Sequence, residues 1–289
     1  MSMLSIDRLI ESISATHNPT TLGLDTQLSH LPEGFRGASE EQADAVLRYN
    51  KCLMDALKGV VPCIKVQVAF YELLGVAGMA AFRDTLAYAR STGYVTIADV
   101  KRNDIGSTAS AYAGAYLSEN APFRVDFITV NAYLGYDGIR PFLETAAETG
   151  GGMFVLARTS NPSGGQLQDL RTDKGTLYEV VGGLVSEWGK GNIGAHGYAS
   201  VGAVVGATYP EEGARLRAAM PHTFFLIPGY GAQGGGGADV RGMLDAQGGG
   251  GVINASRSIL TAYKTYKTDY QDAALKEAIR MRDDINSFI

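Results

Sequence analysis

The sequence predicts an α/β protein, specifically a single-domain (β/α)8 barrel, also known as a TIM barrel. The prediction rests on eight short apolar runs with strand character, on helical spacing between most of them, and on a length of 289 residues. Strands that alternate with helices form a parallel sheet, and eight such units in roughly 250 residues close a barrel. An open, doubly wound sheet is the main alternative.

The predicted elements follow an amphipathic N-terminal helix over residues 1–14. Apolar, β-branched runs predict strands, and apolar residues three and four apart predict helices. The predicted strands span residues 20–24, 63–68, 94–100, 126–131, 153–157, 200–207, 223–228 and 251–255. The predicted helices between them include residues 40–57, 76–89, 108–117, 139–147 and 177–190. The glycine-rich segment 160–198 is the expected insertion, a loop with one helix inside a single domain that spans residues 1–289.

The composition narrows the classes of partner. The chain is 45% apolar and 19% charged with a net charge of −5, so it lacks the basic surface of a nucleic-acid binder. Two cysteines are too few for a disulfide framework and fit a reducing cytosol. No apolar run approaches the ~20 residues that cross a bilayer. We therefore expect a cytoplasmic protein with no nucleic-acid or membrane partner.

The stretch 99–108 carries the most chemical information. Asp99 and Lys101 are two residues apart in a predicted strand, so their side chains share a face at its C-terminal end, where barrel enzymes place their active sites. Asp104 and Thr108 are four residues apart, one turn along the next helix. A purely structural interpretation stays open, with Asp104 as a helix cap and Asp99 and Lys101 as a solvated surface pair.

Two other predicted strands carry charged residues that favour a functional site. Asp25 closes the first strand and Lys65 lies within the second. A lysine inside an apolar strand needs an anionic partner. Aspartates and lysines that meet at one barrel mouth would form an alternating array in which each lysine stays protonated. Such an ammonium can donate a proton but is a poor base.

The last two strands are followed by a predicted phosphate site. Gly229, Gly231 and Gly234 formally match G-x-G-x-x-G, but no apolar helix and no acidic residue follow at dinucleotide-binding spacing. The loops after strands seven and eight are the usual phosphate site of this barrel, and Arg257 adds a bidentate donor there. A phosphate monoester fits best; a surface loop with an unrelated arginine is the alternative.

With these motifs the sequence resembles the orotidine 5′-phosphate decarboxylase family. The resemblance covers about residues 20–259 and includes DVKRNDIGSTA at 99–109, the Lys65 strand, the glycine-rich loop from residue 228 and the Arg257 turn. It implies a homodimeric barrel that uses no metal or other cofactor. The implied reaction converts orotidine 5′-monophosphate (OMP) to uridine 5′-monophosphate (UMP) and CO2.

The resemblance also implies roles for individual residues. The expected catalytic array is Lys65, Asp99, Lys101 and Asp104, with Lys101 as the proton donor. Asp104 and Thr108 would reach into the partner subunit's site. The expected substrate contacts are Asp25 with Lys65 on the ribose hydroxyls, Gln233 and Arg257 on the phosphate, and Ser160 on the pyrimidine edge.

Two other functions remain open at this point. A metal-dependent sugar-phosphate lyase of the same barrel type shares D-x-K-x-x-D, although the second-strand lysine and the Gln233 loop argue against it. A non-catalytic nucleotide-phosphate binding protein could use the same fold. His17, His30, His196 and His222 show no ligand spacing, so we expect them on the surface or in loops and expect no zinc site.

Overall fold

The computed structural model describes residues 3–35, 42–231 and 235–289. Within these ranges, eight parallel strands form a closed barrel in sequential order, and the first strand pairs with the last. This closure confirms the predicted barrel, because an open sheet would leave both of those strands at an edge.

The predicted strands and helices are present, most of them within three residues of their predicted ends. The barrel strands are β1 (Thr20–Leu24), β2 (Cys63–Gln67), β3 (Val95–Arg102), β4 (Phe127–Val130), β5 (Gly152–Arg158), β6 (Ala199–Val205), β7 (Thr223–Ile227) and β8 (Gly251–Ala255). The helices are α1 (Ser5–Thr16), α2 (Gln42–Ala56), α3 (Ala69–Glu72), α4 (Gly75–Ser91), α5 (Gly106–Leu117), α6 (Tyr136–Thr149), α7 (Gly165–Gln168), α8 (Leu177–Gly189), α9 (Pro210–Ala219), α10 (Gly237–Arg241), α11 (Arg257–Leu260), α12 (Ala262–Tyr266) and α13 (Tyr270–Asn286). Of these, α3, α7 and α9 to α13 were not among the helices predicted from spacing.

Side chains alternate along each strand between two apolar cores. One core lies between the strands and the outer helices and includes Ile64, Val66, Ala98 and Ile128. The other fills the barrel with residues from the alternate positions, including Cys63, Ile97, Phe127, Phe154 and Phe224. The first helix, α1, contributes Ile6 and Leu9 to this inner core. The described residues therefore fill the lower part of the barrel with side chains, and in barrels of this kind the site lies at the other end.

The expected insertion contains more structure than one loop and one helix. It begins with a 3-10 turn at Pro162–Gly164 and the short helix α7, followed by a small antiparallel pair formed by Arg171–Thr172 and Gly175–Thr176. Thr176 and Glu179 then form a capping box at the start of α8. Because α8 packs against β5 and β6, it is the barrel helix of this unit. Treating residues 1–289 as one domain stays a prediction.

None of the helices in the described ranges combines the length and the apolar character needed to cross a membrane.

The packing of the inner core predicts that a larger residue at Gly202 destabilises the fold. A Cβ atom there would lie 2.5 Å from Phe154 Cδ1 and 2.6 Å from the Phe224 carbonyl oxygen. We expect Gly202→Ala to lower the free energy of unfolding by about 1–3 kcal/mol, because overpacking forces the surrounding side chains apart. Gly183→Ala is the control, because nothing lies within 4 Å of the added atom and alanine favours the helix. Urea unfolding gives the free energy of unfolding of each variant. If Gly202→Ala and Gly183→Ala are equally stable, the tight packing around Gly202 is contradicted.

Candidate active site

A cavity of about 740 Å³ opens at the C-terminal end of the barrel strands. One side of its wall is polar and consists of residues from β1 to β4, and the other side is apolar, with Leu156, Val204 and Leu226 from β5 to β7. The polar side contains Asp25, Lys65, Asp99, Lys101 and Thr129. A ligand in this cavity would contact fixed charges on one face and hydrocarbon on the other.

Asp99 is the centre of the polar side. Its Oδ1 atom accepts hydrogen bonds from Lys101 Nζ at 2.5 Å and from the Thr129 hydroxyl at 3.0 Å. Its Oδ2 atom accepts from Lys65 Nζ at 2.8 Å and from Gln67 Nε2 at 3.0 Å. Burial alone would raise the pKa of this carboxyl, but the two ammonium groups outweigh burial and hold the pKa well below its usual range. Asp99 is therefore ionised and fully hydrogen-bonded.

Lys65 links the first three strands through its ammonium group. Nζ lies 2.8 Å from Asp99 and 3.3 Å from Asp25, and the residue is only 3% exposed. Burial opposes the charged form, yet the charges of Asp25 and Asp99 raise the pKa of Lys65 above its usual range. Both carboxylates direct an oxygen at this ammonium. The Lys65 ammonium thus occupies the place between Asp25 and Asp99 where a metal ion would otherwise bind.

Lys101 occupies an irregular position at the end of β3. Its φ of 46° lies in the left-handed region, and the pairing of β3 with β4 shifts register between Ala98 and Arg102. Thr129 holds this bulge from β4, because its hydroxyl oxygen accepts from the backbone N–H groups of Val100 and Lys101 at 2.9 and 3.0 Å. The same hydroxyl donates to Asp99. Thr129 therefore fixes both ends of the Asp99–Lys101 ion pair.

The predicted phosphate residues lie at the same cavity. Arg257 and Ser256 follow β8, and Pro228, Gly229 and Tyr230 follow β7; all five line the wall. A Cβ atom at Gly23 would lie 2.0 Å from Ser256 Oγ, so glycine in β1 is what allows the end of β8 to approach. Gln233, the other predicted phosphate ligand, lies outside the described residues.

The remaining predicted residues divide into two groups. Ser160 lines the cavity beside Thr159 and Asn161. Asp104 and Thr108 are not among the described residues that line it: the Asp104 carboxylate accepts from the Ile105 backbone N–H, and Thr108 is exposed on α5. Asp104 is not the helix cap of the structural interpretation either, because Ile105 occupies that position. That interpretation also fails for Asp99, which is buried.

Thr129 and His30 are two of the cavity residues whose positions were not predicted from the sequence. Thr129 carries a detectable signal, because it is a polar residue in phase with the inward-facing Phe127 in an otherwise apolar strand. His30 lies in the connection after β1, as expected for a loop residue, but it is buried at the cavity wall. Burial and Lys264 lower its pKa, and its Nδ1 accepts from the Gln27 backbone N–H at 3.3 Å. His17, His196 and His222 are exposed as expected.

The ion pair predicts how stability depends on pH. Because the pKa of Asp99 is lowered in the fold, its stabilising charge is complete above the ordinary value of 3.8 and is lost as pH falls through the depressed pKa. Because the pKa of Lys65 is raised, its contribution is complete below 10.5 and is lost as pH rises through the raised pKa. The Asp99–Lys65 contribution is therefore constant from about pH 5 to about pH 9.

We expect Asp99→Asn to lower the free energy of unfolding by about 3 kcal/mol, because it leaves the buried Lys65 charge with one partner fewer. Urea unfolding of both proteins at about pH 5, 7 and 9 measures the difference. A difference that shrinks by more than about 1 kcal/mol between pH 7 and pH 5 would show that Asp99 titrates in that range.

Comparisons with known proteins agree with this geometry. Residues 41–268 match the model of the "Orotidine 5'-phosphate decarboxylase / HUMPS family". The chain is 45% identical to an orotidine 5′-phosphate decarboxylase of Rhodopirellula baltica, over 96% of this chain and 97% of the relative. It is 42% identical to one of Clostridium kluyveri, over 97% and 96%. The structure of Leishmania donovani OMP decarboxylase superposes with a TM-score of 0.75 at 30% identity, covering 97% of this chain and 99% of that one.

The family model matches most of the chain, and the sequence similarity extends over nearly the full length of each relative. The chain therefore belongs to the orotidine 5′-phosphate decarboxylase family.

Proposed function

We propose that this chain decarboxylates OMP to UMP and CO2, with Lys101, Asp99 and Lys65 as the residues that act on the reacting carbon. The observation that carries the proposal is the buried Asp99 carboxylate between two ammonium groups at the mouth of the barrel. Membership of the family supports the substrate. The metal-dependent lyase needs a metal ion at carboxylates such as Asp25 and Asp99. Here the Lys65 ammonium already lies between them, which argues against that function.

The reaction breaks the bond between C6 of the pyrimidine and the carboxyl carbon. The electron pair stays on C6 in an orbital that the ring delocalises poorly, so the transition state needs a nearby positive charge. Lys101 supplies this charge, since its ammonium is held by Asp99 and its side chain is 46% exposed at the cavity. Nζ then transfers a proton to C6, which completes UMP, and the neutral amine regains a proton from water.

Asp99 acts by charge and position. All of its hydrogen-bonding capacity is directed at four donors, so it holds Lys101 in place and does not exchange protons. A substrate carboxylate about 4 Å away would be repelled by roughly 4 kcal/mol at an effective dielectric of 20. The part of this repulsion that is relieved as CO2 leaves lowers the barrier. Catalysis of so slow a reaction needs well over ~10 kcal/mol, so substrate binding must supply more.

The rest of the nucleotide supplies that binding energy in our proposal. Arg257 and Gln233 bind the phosphate, Asp25 and Lys65 bind the ribose hydroxyls, and Ser160 meets the pyrimidine edge. Arg257 provides the planar, bidentate donor that suits a phosphate oxygen pair. Contacts remote from C6 orient the reacting bond against Lys101 and so contribute to the rate as well as to affinity.

We further propose a homodimer in which Asp104 and Thr108 complete the partner subunit's site. Five apolar side chains that are 52–90% exposed lie on the segments that follow β2, β3 and β4, as Asp104 and Thr108 do: Leu73, Val76, Ile105, Tyr133 and Tyr136. These segments adjoin one another, because Arg102 pairs with Glu72 at 3.2 Å and a Cβ atom at Gly138 would lie 3.0 Å from the Asp104 carbonyl oxygen. An apolar surface of this kind is typical of an interface.

The activity itself is tested with OMP and the Lys101→Ala variant. We expect the wild-type protein to convert OMP to UMP, followed by the loss of ultraviolet absorbance at the orotate band, and to do so undiminished with excess chelator. Lys101→Ala should lose decarboxylation by at least about 1,000-fold while still binding UMP, because the phosphate and ribose contacts remain. Nucleotide binding without CO2 release by the wild-type protein would instead identify a non-catalytic binder.

The bulge at Lys101 predicts a role for Thr129. Thr129→Val removes one hydrogen bond to Asp99 and two from the β3 backbone, so we expect kcat to fall by roughly 100-fold with a small change in KM. Thr129→Ser keeps the hydroxyl and should retain most of the activity. If Thr129→Val is as active as Thr129→Ser, the bulge does not depend on this hydroxyl.

The shared site is tested by mixing two inactive variants. In a heterodimer of Lys101→Ala and Asp104→Asn chains, one site carries both changes and the other carries neither. Random re-association should therefore restore about one quarter of the wild-type activity. Activity no higher than the average of the two parent variants would contradict a contribution of Asp104 across the interface.

A further inference from the structure

The segment that follows β5 forms part of the cavity wall. Thr159, Ser160 and Asn161 line the cavity, and Gln168 from the short helix α7 lies directly behind Thr159. Gln168 belongs to the insertion, and no role was predicted for it from the sequence. Its contacts determine which polar atom Asn161 can present to a ligand.

The orientation of the Gln168 amide is fixed by groups that can only donate. Oε1 accepts from the backbone N–H of Thr159 at 3.0 Å and from the Arg158 guanidinium at 3.2 Å. The reverse orientation would place an NH2 group against two N–H donors. Nε2 therefore faces Thr159 Oγ1, to which it donates at 2.7 Å.

This orientation is passed on to Asn161. Because Thr159 Oγ1 accepts from Gln168, its one hydrogen is left for the next partner, and it donates to Asn161 Oδ1 at 2.7 Å. The carbonyl oxygen of the Asn161 amide is thus turned toward Thr159. The group that Asn161 can offer to a ligand in the cavity is its NH2 donor.

The chain of hydrogen bonds rests on a rigid support. Arg158 is 1% exposed, its guanidinium carbon lies 3.8 Å from the centre of the Tyr209 ring, and one nitrogen lies 3.1 Å from Asp169 Oδ1. Thr208 Oγ1 donates to the Ser160 carbonyl oxygen at 3.0 Å, which holds the loop backbone. Because Arg158 and the loop backbone at Ser160 are both held by hydrogen bonds or ion pairs, the Gln168 amide keeps one orientation.

We propose that Gln168, acting through Thr159, fixes Asn161 as a hydrogen-bond donor to a carbonyl oxygen of the pyrimidine, so that the site selects a base with an oxo group over one with an amino group at that position. The proposal deepens the proposed function and rests on it. Asn161 would be the specificity residue in contact with the base, and Gln168 a positioning residue. Asn161 is exposed in the open cavity. Once the base covers it, such a donor discriminates strongly, because a facing amino group leaves both donors unpaired.

The test reverses the direction of the hydrogen bonds that run from Gln168 through Thr159 to Asn161, here called the relay, with one isosteric substitution. In Gln168→Glu, the new carboxylate still accepts from Thr159 N–H and Arg158, but it cannot donate to Thr159 Oγ1. The Thr159 hydroxyl must then donate to this carboxylate, and Asn161 turns its NH2 group toward Thr159 and its oxygen toward the cavity. Gln166→Glu is the matched control, because Gln166 lies on the same helix, is not buried and receives the same charge.

Calorimetry gives the dissociation constants of UMP and of cytidine 5′-monophosphate (CMP) for the wild-type protein and both variants. We expect the wild type to prefer UMP, Gln166→Glu to keep that preference, and Gln168→Glu to reduce it by at least about tenfold, chiefly through weaker UMP binding. Equal preferences in the two variants would overturn the proposal, as would a wild-type protein that binds both nucleotides equally.

If Gln168→Glu does not fold, judged by its thermal unfolding, Thr159→Val takes its place. This variant removes the hydroxyl that links the two amides, so the preference must again fall, and an unchanged preference overturns the relay. The outcome is separate from the proposed activity, which fails only if the wild-type protein does not decarboxylate OMP.

Discussion

The structure of the cavity depends on the ion pairs that Asp99 makes with Lys65 and Lys101. A single buried carboxylate or ammonium would be costly in a barrel interior, but here each charge has partners at hydrogen-bond distance. The attraction between Asp99 and Lys65 holds both of these buried groups in their charged forms. The ion pair with Asp99 also places the Lys101 ammonium beside an anion at the cavity, where an ammonium can stabilise a developing carbanion and then protonate it.

The barrel supplies this arrangement by dividing its interior into layers. Phenylalanines fill the lower part, and α1 packs into the same core, so the charged residues are confined to the upper layer. That layer is itself divided, with the ion pairs on β1 to β3 opposite Leu156, Val204 and Leu226 on β5 to β7. An apolar wall that faces the charges screens them less than a polar wall would, which strengthens their field. A flat aromatic base with one charged edge fits such a space.

Much of this architecture could be predicted from residue spacing, because strand periodicity is local. The alternation that places Asp99 and Lys101 on one face follows from their separation by two residues, and Lys65 stands out as a charge in an apolar run. The bulge at Lys101 could not be predicted, since it depends on hydrogen bonds to Thr129 in the neighbouring strand. The same limit applies to His30 at the cavity wall and to Gln168 behind Thr159, whose positions result from loop packing. The phosphate site at Arg257 was predicted from its place after the last strand, whereas the roles of Gln233, the dimer and Ser160 came from family resemblance; all of them stay predictions.

The most direct test of this account is the ionisation state of Asp99 itself. Protein labelled with ¹³C at aspartate carboxyl carbons, with the Asp99 signal assigned through Asp99→Asn, can be titrated by NMR. We predict a chemical shift typical of an ionised carboxylate that stays constant from about pH 5 to about pH 9. A titration midpoint for Asp99 within that interval would contradict the claim that the two ammonium groups hold it permanently charged.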